Sequence, residues 1–303
     1  MKKVLFATTA LVGFAGAAAA EVSLSGFAEM GVKGGDAIET QLHNDIDVTF
    51  NLSGETDGGL AFGATIDLDE VTNTGDDNGI PDGANDASAF ISGEFGKLTI
   101  GETDGALDWA LTETAMLTAI ADDHTAHDGY NGNGSFDGVH DGQIARYEYS
   151  FGDFAFGVSA EMDDTAGGDD PSLGVGVKYS GAMGGVDYGV GVAFQSIEDA
   201  GVSYNTAGIS ANVASNGFSA VVNYVDWDAY SGNDSYSSIG VGYTTGALSL
   251  HANYGTVDKV AAPDVDGYGL AVNYDLGGGA VAALGYGHDD TDSTWSAGLS
   301  LSF

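Results

Sequence analysis

Trp295-Ser296-Ala297-Gly298-Leu299-Ser300-Leu301-Ser302-Phe303 ends the chain, and the fold is decided by how this stretch reads. Apolar and small polar residues alternate along it, the period of a strand with one apolar face, and its last residue is aromatic. The opposite end complements it. Met1-Lys2-Lys3 is positive, residues 4–14 are apolar, and Ala18-Ala19-Ala20 offers a small-residue cleavage site before Glu21. These are the parts of a secretory signal, and the apolar part is too short to cross a bilayer. Residues 1–20 are therefore expected to be a cleaved signal peptide, with 21–303 the folded domain. An exported chain that ends on a strand aromatic predicts a barrel of the bacterial outer membrane.

Composition removes other classes. Acidic residues number 45 against 7 basic, and loss of Lys2 and Lys3 takes the formal net charge from -38 to -40. Such a chain repels nucleic acid and attracts cations. Cysteine is absent, which excludes disulfides, thiolate metal sites and thiol nucleophiles. No run of about twenty uninterrupted apolar residues follows Glu21, so membrane-spanning helices are excluded. High charge often marks disorder, but plentiful aromatics and a strict apolar period argue against it here.

The period of two recurs from Glu21 onward. Ile46, Val48, Phe50 and Leu52 share a face, as do Phe62, Ala64, Ile66 and Leu68, then Phe154, Phe156 and Val158, and later Tyr268, Leu270, Val272 and Tyr274. The opposite faces hold Gly, Ser, Thr, Asn, Asp and Glu. Alternation alone also fits a soluble sandwich. The connections separate the two. Short glycine-rich turns fall near 54–59, 95–96, 151–152, 181–185, 216–217, 245–246 and 276–279. Longer polar segments fall near 33–43, 70–86, 102–142, 162–171, 196–205, 227–235, 257–266 and 287–293. Seven short and eight long connections imply sixteen strands of about ten residues, with the turn–loop asymmetry of an outer-membrane barrel. The fold class expected is thus all-β: a 16-stranded antiparallel transmembrane barrel with short periplasmic turns and long extracellular loops. Tyr179, Tyr224, Tyr243, Tyr274 and Tyr286 sit near strand ends, as aromatic girdles require, although tyrosine favours strands in any sheet.

Several stretches resemble the general diffusion porins of Rhodobacter-type alphaproteobacteria. They are Glu21-Val22-Ser23-Leu24-Ser25-Gly26, Leu52-Ser53-Gly54-Glu55-Thr56-Asp57-Gly58-Gly59-Leu60-Ala61-Phe62-Gly63-Ala64, Ile91-Ser92-Gly93-Glu94-Phe95-Gly96-Lys97-Leu98 and Tyr274-Asp275-Leu276-Gly277-Gly278-Gly279-Ala280. The resemblance covers the mature chain and is strongest in strands and short turns. It implies a homotrimer in outer-membrane lipid and lipopolysaccharide, passive diffusion of small hydrophilic solutes and ions, and an inward-folded third loop that narrows each channel. It also implies that Phe303 is read by the barrel assembly machinery.

The third loop, 103–142, is unusually long, and Leu107, Trp109, Leu111, Met116, Leu117 and Ile120 are spaced for one or two short helical turns. Those apolar residues need a surface, which the inner barrel wall or a neighbouring subunit provides. The loop carries Asp104, Asp108, Glu113, Asp122, Asp123, Asp128, Asp137 and Asp141 and no lysine or arginine. Strand periodicity points Glu29, Asp47, Asp67, Asp69, Glu148, Glu161 and Asp187 into the lumen, opposed by Lys33, Arg146 and Lys178. The arginine cluster that the resemblance would place across from the loop is missing. An acidic excess in a narrow passage enriches cations, so a cation-preferring pore is expected. Acids in solvated outer loops also suit adaptation to salt.

Asp76, Asp77, Asn78, Asp82, Asn85 and Asp86 form an oxygen-rich cluster suited to calcium, and Asn131, Asn133, Ser135 and Asp137 form a second. Neither has EF-hand spacing. No cofactor is otherwise required. His124 and His127 beside Asp122 and Asp123 lack further ligands for a transition metal, and no serine–histidine pairing suggests a barrel hydrolase. The expectation is not an enzyme. A substrate-specific channel, for a sugar or another small solute, is the alternative, but Phe27, Phe90, Trp109, Tyr130 and Phe136 are few for an aromatic track.

Overall fold

The structure, a computed structural model, describes residues 20–69, 85–121, 127–140, 142–165 and 167–303. Among them, sixteen strands close into one antiparallel barrel. In chain order these are β1 (Glu21–Gly35), β2 (Gln41–Glu55), β3 (Ala61–Asp69), β4 (Asn85–Gly93), β5 (Gly96–Glu102), β6 (Gln143–Phe151), β7 (Phe154–Glu161) and β8 (Ser172–Met183). They continue as β9 (Val186–Asp199), β10 (Val202–Ser215), β11 (Phe218–Asp226), β12 (Asn233–Thr245), β13 (Leu248–Lys259), β14 (Val265–Gly277), β15 (Ala280–Asp289) and β16 (Ser293–Ser302). Every strand pairs with its sequence neighbours, and β16 returns to β1 in a register running from Phe27↔Ser302 to Gly35↔Thr294. Closure leaves no strand edge, as hydrocarbon demands of any sheet within it.

The pleat sorts the residues as their alternation foretells. Val22, Leu24 and Met30 of β1, Phe154, Phe156 and Val158 of β7, and Leu173, Val175 and Val177 of β8 stand exposed on the outer wall. Gly174, Gly176 and Lys178 turn inward. Aromatics form two outer bands. Near the short turns, Phe154 packs on Tyr179, Tyr179 on Tyr188, and Phe218 on Tyr243. Near the other end, Tyr268 packs on Tyr286. β1–β5 take no part in tyrosine banding, because the first tyrosine in the chain is Tyr130.

The short turns fall where expected. Asn216-Gly217, with φ of 51° and 87°, supplies the left-handed pair that a two-residue hairpin with right-twisted strands needs. The opposite end departs from expectation. Strands reach 15 residues, longer than the ten anticipated, and the connections at 36–40, 260–264 and 290–292 are correspondingly brief. The segment 196–205 is not a loop. β9 and β10 pair throughout it and turn only at Ala200-Gly201, whose φ values are 52° and 75°. The Asp169 carboxylate accepts both N–H groups of that turn, at 2.7 and 2.9 Å. Polar sequence here marks strand standing above the hydrocarbon, where neither face needs to be apolar.

Candidate functional site: the bore and its inner loop

The described residues of 103–142 turn into the barrel instead of away from it. Among them one short helix forms, α1 (Ala106–Ala110), which packs on β7, β8 and β9; the segment from Thr112 to Ala121 is not helical. The outward leg is held by successive strands. Ala106 N donates to Ser159 Oγ on β7 and Thr112 N to Ser210 Oγ on β10, both at 2.8 Å. Asn223 Nδ2 on β11 donates to Thr112 O, Thr114 Oγ1 to Ser238 Oγ on β12, and Asn273 Nδ2 on β14 to Thr118 O. Ser296 Oγ on β16 donates to Ile120 O, and Ala121 N to Glu29 Oε2 on β1 at 2.7 Å.

That path crosses ten strand intervals. Along the wall it measures about 63 Å, from strand spacing near 4.8 Å and tilt near 40°, and about 40 Å on an arc at about two-thirds of the wall's radius, where a loop packed inside the wall runs. Residues 106–121, five of them helical, can supply about 44 Å. The leg is nearly taut.

The return leg lies beside it. Asp128 N donates to Asp289 Oδ1 and Phe136 N to Gln195 Oε1 on β9, and Trp227 Nε1 donates to Gly134 O. Its base hangs on Glu161 of β7, whose carboxylate accepts the N–H groups of Gly138, His140 and Gly142 at 2.9–3.2 Å. Between the two legs and the wall lies a real hydrophobic core: Leu107, Leu111, Phe136, Ile197, Val225, Trp227, Tyr236 and Val257 are all buried. Part of the barrel is therefore filled with protein, and the free arc runs along β2–β6.

The expected lumen residues divide into two kinds. Glu29 and Glu161 face inward but are 6% and 2% exposed, so they serve as struts under the loop and present little charge to water. His43 Nε2 lies 3.2 Å from Glu29. Lys178 donates to Trp109 O at 2.9 Å and lies 3.8 Å from that ring's centroid, pinning α1 to β8. Asp47 and Asp67 are half-buried in the bore, Asp67 accepting from Thr49 Oγ1 at 2.7 Å. Asp69 stands opposite Asp47 in register. On the free side of the loop, Asp104 and Glu113 are exposed and Asp108 half-buried. Tyr130 Oη donates to Glu113 Oε2. Asp122, Asp123, His124 and Asp141 lie outside the described residues.

A small basic group was legible only in part. Lys97 of β5 joins Arg146, its ammonium 3.7 Å from Glu148, while Arg146 lies 3.9 Å from Glu148 and 3.8 Å from Asp104. The alternation Lys97-Leu98-Thr99-Ile100 carried the signal, but the adjoining turn at 95–96 masked it. Each positive charge already has a carboxylate partner. Next to them a cavity of about 310 Å³ is lined by Glu102, Asp104, Asp108 and Asp137 without a lysine or arginine. Burial pushes the Asp108 carboxyl up to about 6; Asn133 opposes this by donating at 2.6 Å, and the charges of Asp104, Asp137 and Glu113 add to it. Burial likewise pushes Asp137 up.

Of the two calcium candidates, Asp76, Asp77, Asn78 and Asp82 lie outside the described residues, and Asp86 pairs in register with Asp67. Two members of the second group are already engaged by protein partners. Asn133 gives its amide N–H to Asp108 and accepts from Asn223, and Asp137 accepts from Gly105 and Gln195 through different oxygens. Among the described residues, no three His, Asp or Glu side chains converge as a ligand set.

A closed barrel, apolar outside, wet within and narrowed by its own loop, defines a membrane-spanning β-barrel channel. The chain belongs to the Gram-negative porin family, whose sequence profile matches residues 7–294. A porin of Rhodobacter capsulatus is 28% identical over 321 residues, covering 93% of this chain and 99% of that protein. A porin structure refined at 1.8 Å superposes with a TM-score of 0.76 at 24% identity, over 93% of this chain and all of that one. A variant of the Rh. blastica porin gives a TM-score of 0.73 at 18% identity, with the same coverage. These two structures speak for the fold alone.

Proposed function

We propose that the protein is a cation-preferring diffusion pore of the outer membrane, exported through residues 1–20 and assembled as a homotrimer. The observation that carries the preference is the charge on the loop's free side. Asp108 and Glu113 border the passage, Asp104 and Glu148 engage Arg146 and Lys97, and Lys178 lies under Trp109. A fixed acidic surface in a narrow, low-dielectric passage raises the local concentration of cations and lowers that of anions.

Reversal potentials across a KCl gradient test this; a chloride preference would end it. The Asp108 pKa of about 6 adds a signature. Above pH 6 the group is an anion and below it neutral, so potassium preference falls on acidification from pH 7 to 5. Asp108→Asn has a weaker preference at pH 7.5 and lacks much of that fall.

Family membership supports the outer membrane, and the tyrosine-free outer wall of β1–β5 supports a subunit contact there. A girdle is useful only where a wall meets lipid headgroups. Phe303 is proposed as the assembly signal; its exposed side chain is 78% accessible and its backbone pairs with Gly26. Calcium binding by 76–86 is proposed from sequence. Calcium raising the melting temperature more than magnesium does would support it, and equal effects would remove it.

A further inference from the structure

Beneath the inner loop, glycines clear the wall at particular places where a loop carbonyl oxygen rests on it. Gly191 of β9 faces the Ala110 carbonyl oxygen and Gly240 of β12 the Thr114 carbonyl oxygen; a Cβ at either would fall inside that oxygen's van der Waals shell. The obstacle in both cases is backbone of a taut segment, which cannot swing aside as the end of a side chain can. Packed interiors transmit such an intrusion. Hydroxyls stand beside these clearances: Ser210 Oγ holds Thr112 N at 2.8 Å, and Ser238 Oγ accepts from Thr114 Oγ1 at 2.9 Å. The hydroxyls fix where along the wall the loop lies, and the glycines fix how deeply it sits.

We propose that Gly191 and Gly240 are size-determining residues of the channel, setting its aperture from the wall side without touching the solute. The inference rests on the reading of the bore as a conducting path. A methyl group at either position cannot enter the space the loop occupies. The outward leg has almost no slack to route around it, and the wall behind is a hydrogen-bonded sheet. The loop must therefore move toward the open arc, and the passage narrows by the displacement of a whole backbone segment.

Planar-bilayer recordings and liposome swelling with sugars of graded size test the idea on Gly191→Ala and Gly240→Ala. Both are expected to lose single-channel conductance and to lose permeation of the larger sugars first. Gly189→Ala is the control: it lies on the same strand, but the atoms nearest its Cβ would be those of the Asn212 side chain, which can rotate away. It should conduct as the parent does. A loss in Gly189→Ala equal to that in Gly191→Ala would overturn the proposal, since added volume would then explain it without loop movement. Unchanged conductance in both Gly191→Ala and Gly240→Ala would also overturn it. If neither assembles, Ser210→Ala carries the test, because it removes a strap and adds no bulk. Raised open-channel noise supports a loop positioned from the wall, and a trace as quiet as the parent's rejects it. Bilayers that stay silent with the parent protein would instead sink the channel reading itself.

Discussion

At Glu161 a single carboxylate, 2% exposed, gathers three backbone N–H groups from the base of the loop. Its inward direction was legible from alternation; its role was not. Local pattern gives the face of a strand, but says nothing of a loop returning from elsewhere to cover it. Glu29 is the same case: its inward direction was legible and its burial under the loop was not. His127 shows the reverse case, a loop histidine whose environment makes it informative. Burial pushes its imidazole down to about 4, with the Asn253 side chain and the Asp128 carboxylate opposing only in part. The unfolded chain takes a proton near pH 6.5 and the folded one does not until about pH 4, so stability falls as pH drops between those values. The shift corresponds to about 3 kcal/mol. Urea unfolding in detergent at pH 7 and pH 4 isolates this group when the parent is compared with His127→Leu: on acidification the parent should lose more stability than the variant by roughly that amount, since the raised carboxyls Asp108 and Asp137 act alike in both.

Among elements, strands were the most legible, because a period of two is local and repeats through the whole wall. Register and strand ends were less so. A strand slipped by two residues keeps its pattern, and the pairing that excludes the slip is made by neighbours and turns. Residues 196–205 failed for a related reason: Glu198-Asp199-Ala200-Gly201 has the composition of a loop, yet ladder hydrogen bonds continue to the last two residues. The turn itself is strained, since Ala200 holds a φ of 52° that favours glycine. Ala200→Gly is expected to stabilise the folded barrel by about 1 kcal/mol, read as a higher urea midpoint. An unchanged or lower midpoint would show that the strain is relieved elsewhere. The inner loop was legible as long, acidic and in need of an apolar surface. Its course across ten strand intervals was not, because each anchor pairs residues about 50 to 180 positions apart.

For the molecule as a whole, one asymmetry recurs. The loop lines the wall from β7 round to β1, and the tyrosine bands occupy the outside from β6 onward. The proposed contact between subunits falls on the remaining arc. Absence of native cysteine makes this simple to test. Leu42, 84% exposed on β2, and Val222, 48% exposed on β11, lie on opposite arcs of the outer wall. In native membranes, a bifunctional thiol reagent should join Leu42→Cys subunits and leave Val222→Cys subunits single. Linkage through Val222→Cys alone would place the contact on the other side.

The interior strap also has a mechanical meaning. A thin tube stiffened along part of its circumference yields to lateral pressure along the remainder. The bilayer squeezes every such tube, and here the unsupported sector is also the one without headgroup anchors. An isolated subunit would flatten there and pinch its own aperture, whereas neighbours pressed against that sector would keep it round.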